Sequence, residues 1–328
     1  MIQSKTILNA LPHVLKTITI PELGEKKQGK VRVIYVKEDK RILIATDSKS
    51  AFDVVLGYAP FTGAVLTQLA KFWFEKTRHI IPNHMIDTPD PNVMVVKNCK
   101  PLPVEMVVRG YMSGVTKTSI WYSYQKGERQ IYGLTLPDGL RKNGKLPHPI
   151  ITPTTHPEAG SGLHDERLTR EEIINKKIVD KKLYEQMEKV ALQLFDFGSK
   201  LALKNGLILV DTKYEFGLYN GELILIDEIH TPDSSRYWIA DTYQKRFEKG
   251  LEPGNFDKEF FRLWYANKGY LGDGKPPKMP DELVVQITKR YVSIYEKLTG
   301  QKFKTFPYPI DERIKRNLKS LIEESLSR

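Results

Sequence analysis

The amino-acid sequence predicts an α+β fold in which antiparallel sheets are covered by helices. Residues 29–46 hold two β-branched runs on either side of a charged turn, which is the pattern of a β-hairpin. Residues 64–81 carry apolar side chains at helical spacing. A second hairpin pattern, 207–226, follows a long helical stretch and turns at Asn220-Gly221. Hairpins and helices that occupy separate stretches of the chain are typical of the α+β class.

Further elements follow from the same local patterns. The apolar spacing of residues 2–18 predicts a surface helix, and further strands are expected at 93–97 and 104–108. Thr169 and Glu172 form a capping-box pattern that starts the long helical stretch, which ends at Gly206 and should break near Asp180.

The length and the order of these patterns predict three parts. A chain of 328 residues suggests two domains or one domain with a large extension. We assign the parts to residues 1–105, 106–256 and 257–328. The last part has a helical pattern that is interrupted at 272–280.

The net charge of the chain limits the classes of partner. Lysine and arginine number 51 against 40 acids, a formal net charge of +11, which suits either a nucleic-acid surface or a pocket for phosphorylated, carboxylated small molecules. The basic residues are spread along the chain without an RNA-binding or helix-turn-helix signature, so we favour the pocket. No apolar run approaches a membrane span, and the single cysteine, Cys99, fits a reducing cytoplasm.

The second hairpin carries acids at the ends of its apolar runs. If Glu215 and Asp227 point to one face, they could hold one Mg²⁺ ion together with triphosphate oxygens. Lys213 could supply a positive charge to the same phosphates. The alternative is that acids at strand ends only form turns and solubilise the surface. That alternative is weaker for Asp227 and Glu228, because they flank a buried run and acids are rarely buried unpaired.

Two further segments could bind anions. Ser234, Ser235 and Arg236 could form a cup in which hydroxyls and a guanidinium contact phosphate oxygens. Lys30 and Arg32 would share one face of a strand by its period of two, although the segment is not a Walker A loop.

A long segment without clear periodicity, 137–167, separates the two halves of the chain. It is rich in proline, glycine, histidine and threonine and includes Asp165. A loop of this length in a compact chain is usually functional or disordered, so it either lines the site or acts as a solvated linker.

Seven stretches in this order resemble the SAICAR synthetase family, the phosphoribosylaminoimidazole-succinocarboxamide synthases of purine biosynthesis. They are GKVRVIY, ATDSKSAFD, LTQLAKFWF, VVRGYMSG, ITPTTHPEAGSGLHDE, LVDTKYEFG and IDEIHTPDSSRYW, and they span residues 29–238. The resemblance implies an ATP-grasping antiparallel-sheet domain at 1–105, a second α+β domain, and C-terminal helices. It implies a cytoplasmic ligase that joins carboxyaminoimidazole ribonucleotide to L-aspartate with ATP and Mg²⁺, and that acts as a monomer or small homo-oligomer.

The resemblance also implies roles for individual residues. Catalysis falls to Lys213, Asp211 and Asp165. ATP is bound by Lys30, Arg32, Glu215 and Asp227, of which Glu215 and Asp227 also hold the metal. The ribonucleotide is bound by Arg109, Ser113, Ser119, Ser234, Ser235 and Arg236. The chain departs from the family pattern at Val33 and after Ser113-Gly114, where either Ser119 or Thr116 takes the place of the family's serine.

Two other functions compete with this one. A kinase would share the ATP site, but the chain lacks the H-R-D and D-F-G sequences of protein kinases. A non-catalytic basic protein would bind nucleotides or RNA without turnover, and its RNA affinity would fall steeply with salt. Dependence of ADP release on L-aspartate separates the ligase from both.

Overall fold

A computed structural model describes residues 2–52, 54–156, 165–256 and 258–326. The helices in these ranges are α1 Ser4–Ala10, α2 Thr62–Thr77, α3 Ile120–Tyr124, α4 Arg170–Asn175, α5 Lys181–Lys204, α6 Ala240–Glu248, α7 Glu259–Asn267, α8 Asp281–Thr299, α9 Ile310–Asn317 and α10 Lys319–Leu326. Short 3₁₀ helices lie at Leu11–His13 and Pro21–Leu23.

The strands form two large antiparallel sheets and two small ones. They are β1 Glu25–Gln28, β2 Arg32–Lys37, β3 Lys40–Ala45, β4 Ser48–Ala51, β5 Val54–Tyr58, β6 Met85–Asp90, β7 Val93–Lys97, β8 Lys100–Tyr111, β9 Gln130–Ile131, β10 Leu134–Thr135, β11 Lys145–Ile151, β12 Thr154–Thr155, β13 Leu207–Tyr219, β14 Glu222–Ile226 and β15 Ser235–Ile239.

The first sheet has five strands in the order β1-β2-β3-β7-β6. Its β2–β3 hairpin confirms the hairpin predicted at 29–46, and β7 has the predicted bounds. Alternation of side chains directs Val33, Tyr35 and Ile44 to one face, where they pack against residues of the N-terminal segment and of α9. The opposite face carries Arg32 and Met94 and turns toward helix α2 and the interior of the protein.

The second sheet has β11, β8, β13 and β14 in that order, with β12 added to β8 and β15 added to β13. Its long central pair, β8 and β13, is in register from Arg109 opposite Asp211 to Glu105 opposite Glu215. One face of this pair, which includes Tyr214, belongs to the main apolar core that also holds α5. The other face carries the charged side chains.

Three expectations about elements are wrong in detail. Strand β13 continues to Tyr219, so Asp211 and Glu215 lie inside the strand and not at strand ends; pairing with β8 and β14 extends it past the apolar run. The segment 137–167 contains β11 and β12, which are recruited by β8. The N-terminal helix ends at Ala10, and the 3₁₀ helix Leu11–His13 follows it. Leu15 then donates from its N–H group to Asp47 Oδ2, and its carbonyl oxygen accepts from the Asp47 N–H group.

Several local predictions are confirmed. Thr169 and Glu172 form a complete capping box, and Asp180 caps α5 after a break. Gly206 and the turn Asn220-Gly221 adopt positive φ angles, as a helix end and a tight hairpin require. The boundary expected between residues 105 and 106 falls inside β8, and the division into three parts stays a prediction.

A buried ion pair ties the C-terminal helices to the first sheet. Arg313 of α9 donates from Nε and Nη2 to the two carboxylate oxygens of Asp90, at 2.9 and 3.0 Å. The Arg313 Nη2 atom also donates to Asn92 Oδ1 at 2.7 Å. Both charged side chains are buried, so each depends on the other for compensation.

Arg313→Met should therefore lower the free energy of unfolding by about 3–5 kcal/mol, because it leaves the Asp90 carboxylate buried without its cation. The matched control is Arg316→Met on the same helix, where the side chain is exposed and the change should stay within about 0.5 kcal/mol. Urea unfolding of the two variants measures the difference. Equal losses would contradict the role given to the buried pair.

Candidate active site

Three charged side chains form a row across the second sheet. Asp211 of β13 stands opposite Arg109 of β8 and opposite Arg236 of β15. Its Oδ2 atom accepts hydrogen bonds from Arg109 Nη1 at 3.1 Å and from Arg236 Nη1 at 2.6 Å. The register of three strands thus places two guanidinium groups side by side on one carboxylate.

Burial and hydrogen bonding fix this row. Asp211 is 4% exposed, and burial would raise its pKa, but the charges of Arg236 and Arg109 outweigh burial and lower it. Arg109 is held further by Thr152 Oγ1, at 2.8 Å from its Nε, and by the carbonyl oxygen of Thr118. The carboxylate is therefore ionised and acts as the spacer between two fixed cations.

A cavity of about 160 Å³ opens over the row and is strongly polar. Its lining includes the sequence-predicted residues Arg109, Asp211, Lys213, Ser119, Ser234, Ser235 and Arg236. α7 contributes Lys258, Glu259 and Arg262 to the same lining. The structure therefore brings together most of the residues predicted to bind the ribonucleotide, although their strands are distant in sequence.

The hydroxyl groups around this cavity form hydrogen bonds with other side chains and with the backbone. Ser113 Oγ donates to Asp211 Oδ2 at 3.2 Å, and Ser235 Oγ donates to Thr212 Oγ1 at 2.8 Å. Ser234 Oγ accepts from the Thr231 N–H group. Ser119 Oγ donates to the Thr116 carbonyl oxygen at 2.5 Å, and both residues line the cavity, so either hydroxyl is close to a ligand there.

A second group of charges lies further along the same face. The Lys213 ammonium donates to Glu105 Oε1 at 2.8 Å and to Glu215 Oε1 at 2.5 Å. His156 Nδ1 is 3.0 Å from Glu105 Oε1, and its Nε2 is 3.5 Å from Glu215 Oε2. One ligand atom from each of Glu105, His156 and Glu215 can be chosen so that all lie within 4.8 Å of one another.

Arg32 connects the first sheet to these acids. Its guanidinium forms ion pairs with Asp227 and, at 2.5 Å, with Glu228. Asp227 follows β14 with a φ of 62°, which turns the chain out of the strand. Burial alone would raise the pKa of Asp227, but the Arg32 charge lowers it to about 2, whereas burial raises the pKa of Glu228 to about 7.

The residues present fit a hard divalent cation at Glu215 and Asp227. Burial and then the charge of Asp227 raise the pKa of Glu215, which means that the two carboxylates repel each other. A cation that binds both would relieve this repulsion, and carboxylate oxygens are the ligands that Mg²⁺ prefers. Lys213 forms an ion pair with Glu215, and Arg32 forms one with Asp227, so these two cations offset part of the repulsion between the carboxylates.

An apolar crevice adjoins the same acids. Arg32 and Asp227 lie at its edge, and the remaining lining is supplied by Leu43, Ala45, Leu66, Thr67, Ala70 and Met94. The crevice lies between the first sheet and α2, is mostly apolar, and has the charged side chains of Arg32 and Asp227 in its lining.

Two predicted site residues lie at the margins. Lys30 is exposed in the turn before β2, which begins at Arg32, so the two side chains do not share a strand face as expected. Asp165 is exposed and follows residues 157–164, including His164, which lie outside the described residues. Asp165 lies near Tyr132: burial raises the pKa of Tyr132, and the negative charge of Asp165 raises it further. Tyr132 in turn contacts Arg109.

The sequence patterns gave no role to Glu105 or Asp233 at this site, and indicated His156 only as one of the polar residues of the segment 137–167. Glu105 contacts Lys213 and His156, and His156 also contacts Glu215. Strand alternation from Arg109 could have identified Glu105. Asp233 is buried between Lys49, at 3.2 Å, and Lys258, at 3.8 Å. No local pattern indicates that pairing, since it joins three distant parts of the chain.

Comparisons with known proteins agree with this geometry. The sequence of residues 25–277 matches the family model of SAICAR synthetase. A Legionella pneumophila (strain Paris) protein named phosphoribosylaminoimidazole-succinocarboxamide synthase is 46% identical over 312 residues, which is 94% of this chain and 98% of the relative.

Solved structures lead to the same family. A SAICAR synthase from Saccharomyces cerevisiae in complex with SAICAR matches with a TM-score of 0.75 at 30% identity, covering 89% of this chain and all of the other. A SAICAR synthetase in complex with ADP matches with a TM-score of 0.65 at 25% identity, covering 86% of this chain and all of the other.

An α+β enzyme with a charged sheet face beside a polar cavity is the class that the fold and these residues define. Within that class, the chain belongs to the SAICAR synthetase family. The predictions of an α+β fold and of a ligase of purine biosynthesis are confirmed. Among the described residues no helix is long and apolar enough to cross a membrane.

Gly114→Ala should weaken anion binding at the charged row. Gly114 has a φ of 90°, and a Cβ atom there would lie 2.4 Å from Ser119 Cβ and 3.2 Å from Arg236 Nη2. Gly127→Ala is the matched control, because Gly127 has a φ of 93° but nothing within 4 Å of such a Cβ. An alanine at a positive φ angle should destabilise both variants by about 1–2 kcal/mol. Only Gly114→Ala should also raise the Michaelis constant for the ribonucleotide. Equal constants in the two variants would contradict the close approach.

Proposed function

We propose that this protein joins carboxyaminoimidazole ribonucleotide to L-aspartate in an ATP-dependent reaction that yields SAICAR, ADP and phosphate. The observation that carries the proposal is the common face of β8, β13 and β15. That face holds a pair of fixed arginines at one end and a cluster of carboxylates with a lysine at the other. One end suits the phosphate of a ribonucleotide and the other suits the phosphates of ATP.

The chemistry explains why such a face is needed. A carboxylate does not react with an amine at neutral pH, so an oxygen of the ribonucleotide carboxylate first attacks the γ-phosphorus of ATP and ADP leaves. The aspartate amine then attacks the carbonyl carbon of the acyl phosphate, the amine loses a proton, and phosphate leaves with the C–O electron pair. Both steps depend on positioning and on neutralising negative charge rather than on a covalent enzyme nucleophile.

We assign the ribonucleotide phosphate to Arg109 and Arg236. A guanidinium binds two phosphate oxygens at once, and guanidinium groups on the two strands that flank β13 can bind one phosphate from two sides. Asp211, which the resemblance placed among the catalytic residues, is better suited to positioning, because both arginines hold its carboxylate below the cavity. Ser119 or Thr116 supplies a hydroxyl at the same cavity.

We assign the divalent cation to Glu215 and Asp227, and the ATP phosphates to the same end of the face. The bound Mg²⁺ would neutralise phosphate charge during phosphoryl transfer. Lys213 lies beside Glu215 and is positioned to contact a phosphate oxygen, and Arg32 can leave Asp227 for the same purpose. Lys30, exposed in the preceding turn, would reach the phosphates only when that turn closes over them.

Asp165 remains the proposed contact to the imidazole ring. Its support is its position near Tyr132, which in turn contacts Arg109 at the cavity. The substrates are small molecules, we propose no nucleic-acid partner, and we place the reaction in the cytoplasm as a monomer or small homo-oligomer.

The experiment that tests the proposal is ADP release with the carboxylated ribonucleotide, measured with and without L-aspartate and analysed for the succinyl product. We expect sustained ADP release only when all three substrates and Mg²⁺ are present. Release that is independent of L-aspartate, with a phosphorylated product, would instead identify a kinase. Binding of RNA without any turnover, weakening steeply with salt, would identify a non-catalytic protein.

A further inference from the structure

Glu105 has three hydrogen-bond partners on the charged face, and neither the sequence patterns nor the proposed chemistry gives it a role. It lies in the middle of β8, directly opposite Glu215 of β13, and it is 4% exposed. Its Oε1 atom faces Lys213 Nζ at 2.8 Å and His156 Nδ1 at 3.0 Å. Its Oε2 atom accepts from Thr154 Oγ1 at 3.2 Å, so both oxygens are occupied by the protein itself.

This occupation distinguishes Glu105 from its neighbour Glu215. Both acids contact the Lys213 ammonium, but Glu105 is in addition fixed to β12, because Thr154 pairs with Glu105 in the strand register. Glu215 has Lys213 at 2.5 Å and His156 Nε2 at 3.5 Å, and its second buried neighbour, Asp227, carries the same sign of charge. We therefore regard Glu105 as the permanent partner of Lys213, and Glu215 as a partner that can exchange the lysine for a cation.

A divalent cation at Glu215 has to compete with Lys213 for the same carboxylate. If Glu215 were the only acid beside Lys213, metal binding would leave the half-buried ammonium without a carboxylate partner, which costs the free energy of a charge-assisted hydrogen bond. With Glu105 present, the ammonium keeps one charge-assisted hydrogen bond after Glu215 has turned to the metal. Of the two acids on the paired strands, Glu105 would hold the lysine and Glu215 would bind the cation.

We propose that Glu105 is a positioning residue that retains the Lys213 ammonium on β8 and so makes the Glu215 carboxylate available to a divalent cation. The inference rests on the proposed function in one respect, the assignment of the metal to Glu215 and Asp227. It extends that function by naming the group that resolves the competition between the lysine and the metal.

The test uses Mn²⁺ binding in the presence of ADP, measured by electron paramagnetic resonance of the free ion, so that no turnover is involved. Glu105→Gln keeps the side-chain volume and an acceptor oxygen but removes the charge. We expect its Mn²⁺ affinity to fall by about 10- to 100-fold, the size expected when one charge-assisted hydrogen bond is lost. Glu222→Gln, an exposed position on β14 of the same sheet, is the matched control and should bind like the wild type.

A second variant separates positioning from a structural role. Removing the lysine as well, in Glu105→Gln/Lys213→Met, should restore Mn²⁺ affinity to near the wild-type value, because the competitor for Glu215 is gone. The two variants without the lysine are titrated with Mn²⁺ in the absence of nucleotide, so that the proposed phosphate contact of Lys213 does not enter. Lys213→Met alone should then bind Mn²⁺ at least as tightly as the wild type, and this measurement stands even if Glu105→Gln fails to fold. An unchanged affinity in Glu105→Gln, a double variant as weak as Glu105→Gln, or a loss in Lys213→Met would overturn the inference and leave the proposed function standing. A wild-type protein that binds no Mn²⁺ with ADP would overturn the metal assignment and the inference together.

Discussion

The register of β13 between its neighbouring strands is the constraint on which the site depends. Because Asp211 pairs with both Arg109 and Arg236, and Glu215 pairs with Glu105, the charged side chains occupy successive positions on one face. A shift of one residue would turn Lys213 and its neighbours into the apolar core and expose Tyr214. The packing of that core against α5 therefore fixes the register, and the register fixes the chemistry.

The charges on this face are balanced within the protein before any substrate binds. Arg109 and Arg236 share one carboxylate, Lys213 shares two, and Arg32 forms ion pairs with Asp227 and Glu228. Buried groups arranged in this way are already desolvated and oriented, so they need little reorganisation when a phosphate or a metal replaces one of their partners. The same pairing keeps the folded protein from carrying uncompensated charge in its interior.

Local patterns in the sequence predict most elements of this fold, and the long-range pairings set the rest. The hairpin at 29–46 and the break at Asp180 depend on neighbouring residues, and both are confirmed. The extension of β13 to Tyr219 depends on β14, across the predicted Asn220-Gly221 turn, and on β8, about a hundred residues away, and the second partner lies outside any local pattern. Local sequence patterns gave Glu105 no role, because its partners on β13 and β12 lie far away in the chain. Its spacing of four residues from Arg109 on β8 nevertheless places both side chains on the charged face.

The central claim is that the ribonucleotide phosphate and the metal-bound nucleotide occupy opposite ends of one sheet face. Four residues along β13 separate Asp211 from Glu215, which corresponds to roughly 13 Å at the usual rise of a strand. Phosphorus NMR with Mn²⁺ as a paramagnetic probe measures the distance from the metal to each bound phosphate. We predict strong relaxation of the ADP phosphates and much weaker relaxation of the ribonucleotide phosphate, consistent with a separation of about 10 Å or more. Equally strong relaxation of both, which would place the ribonucleotide phosphate on the metal, would contradict the account.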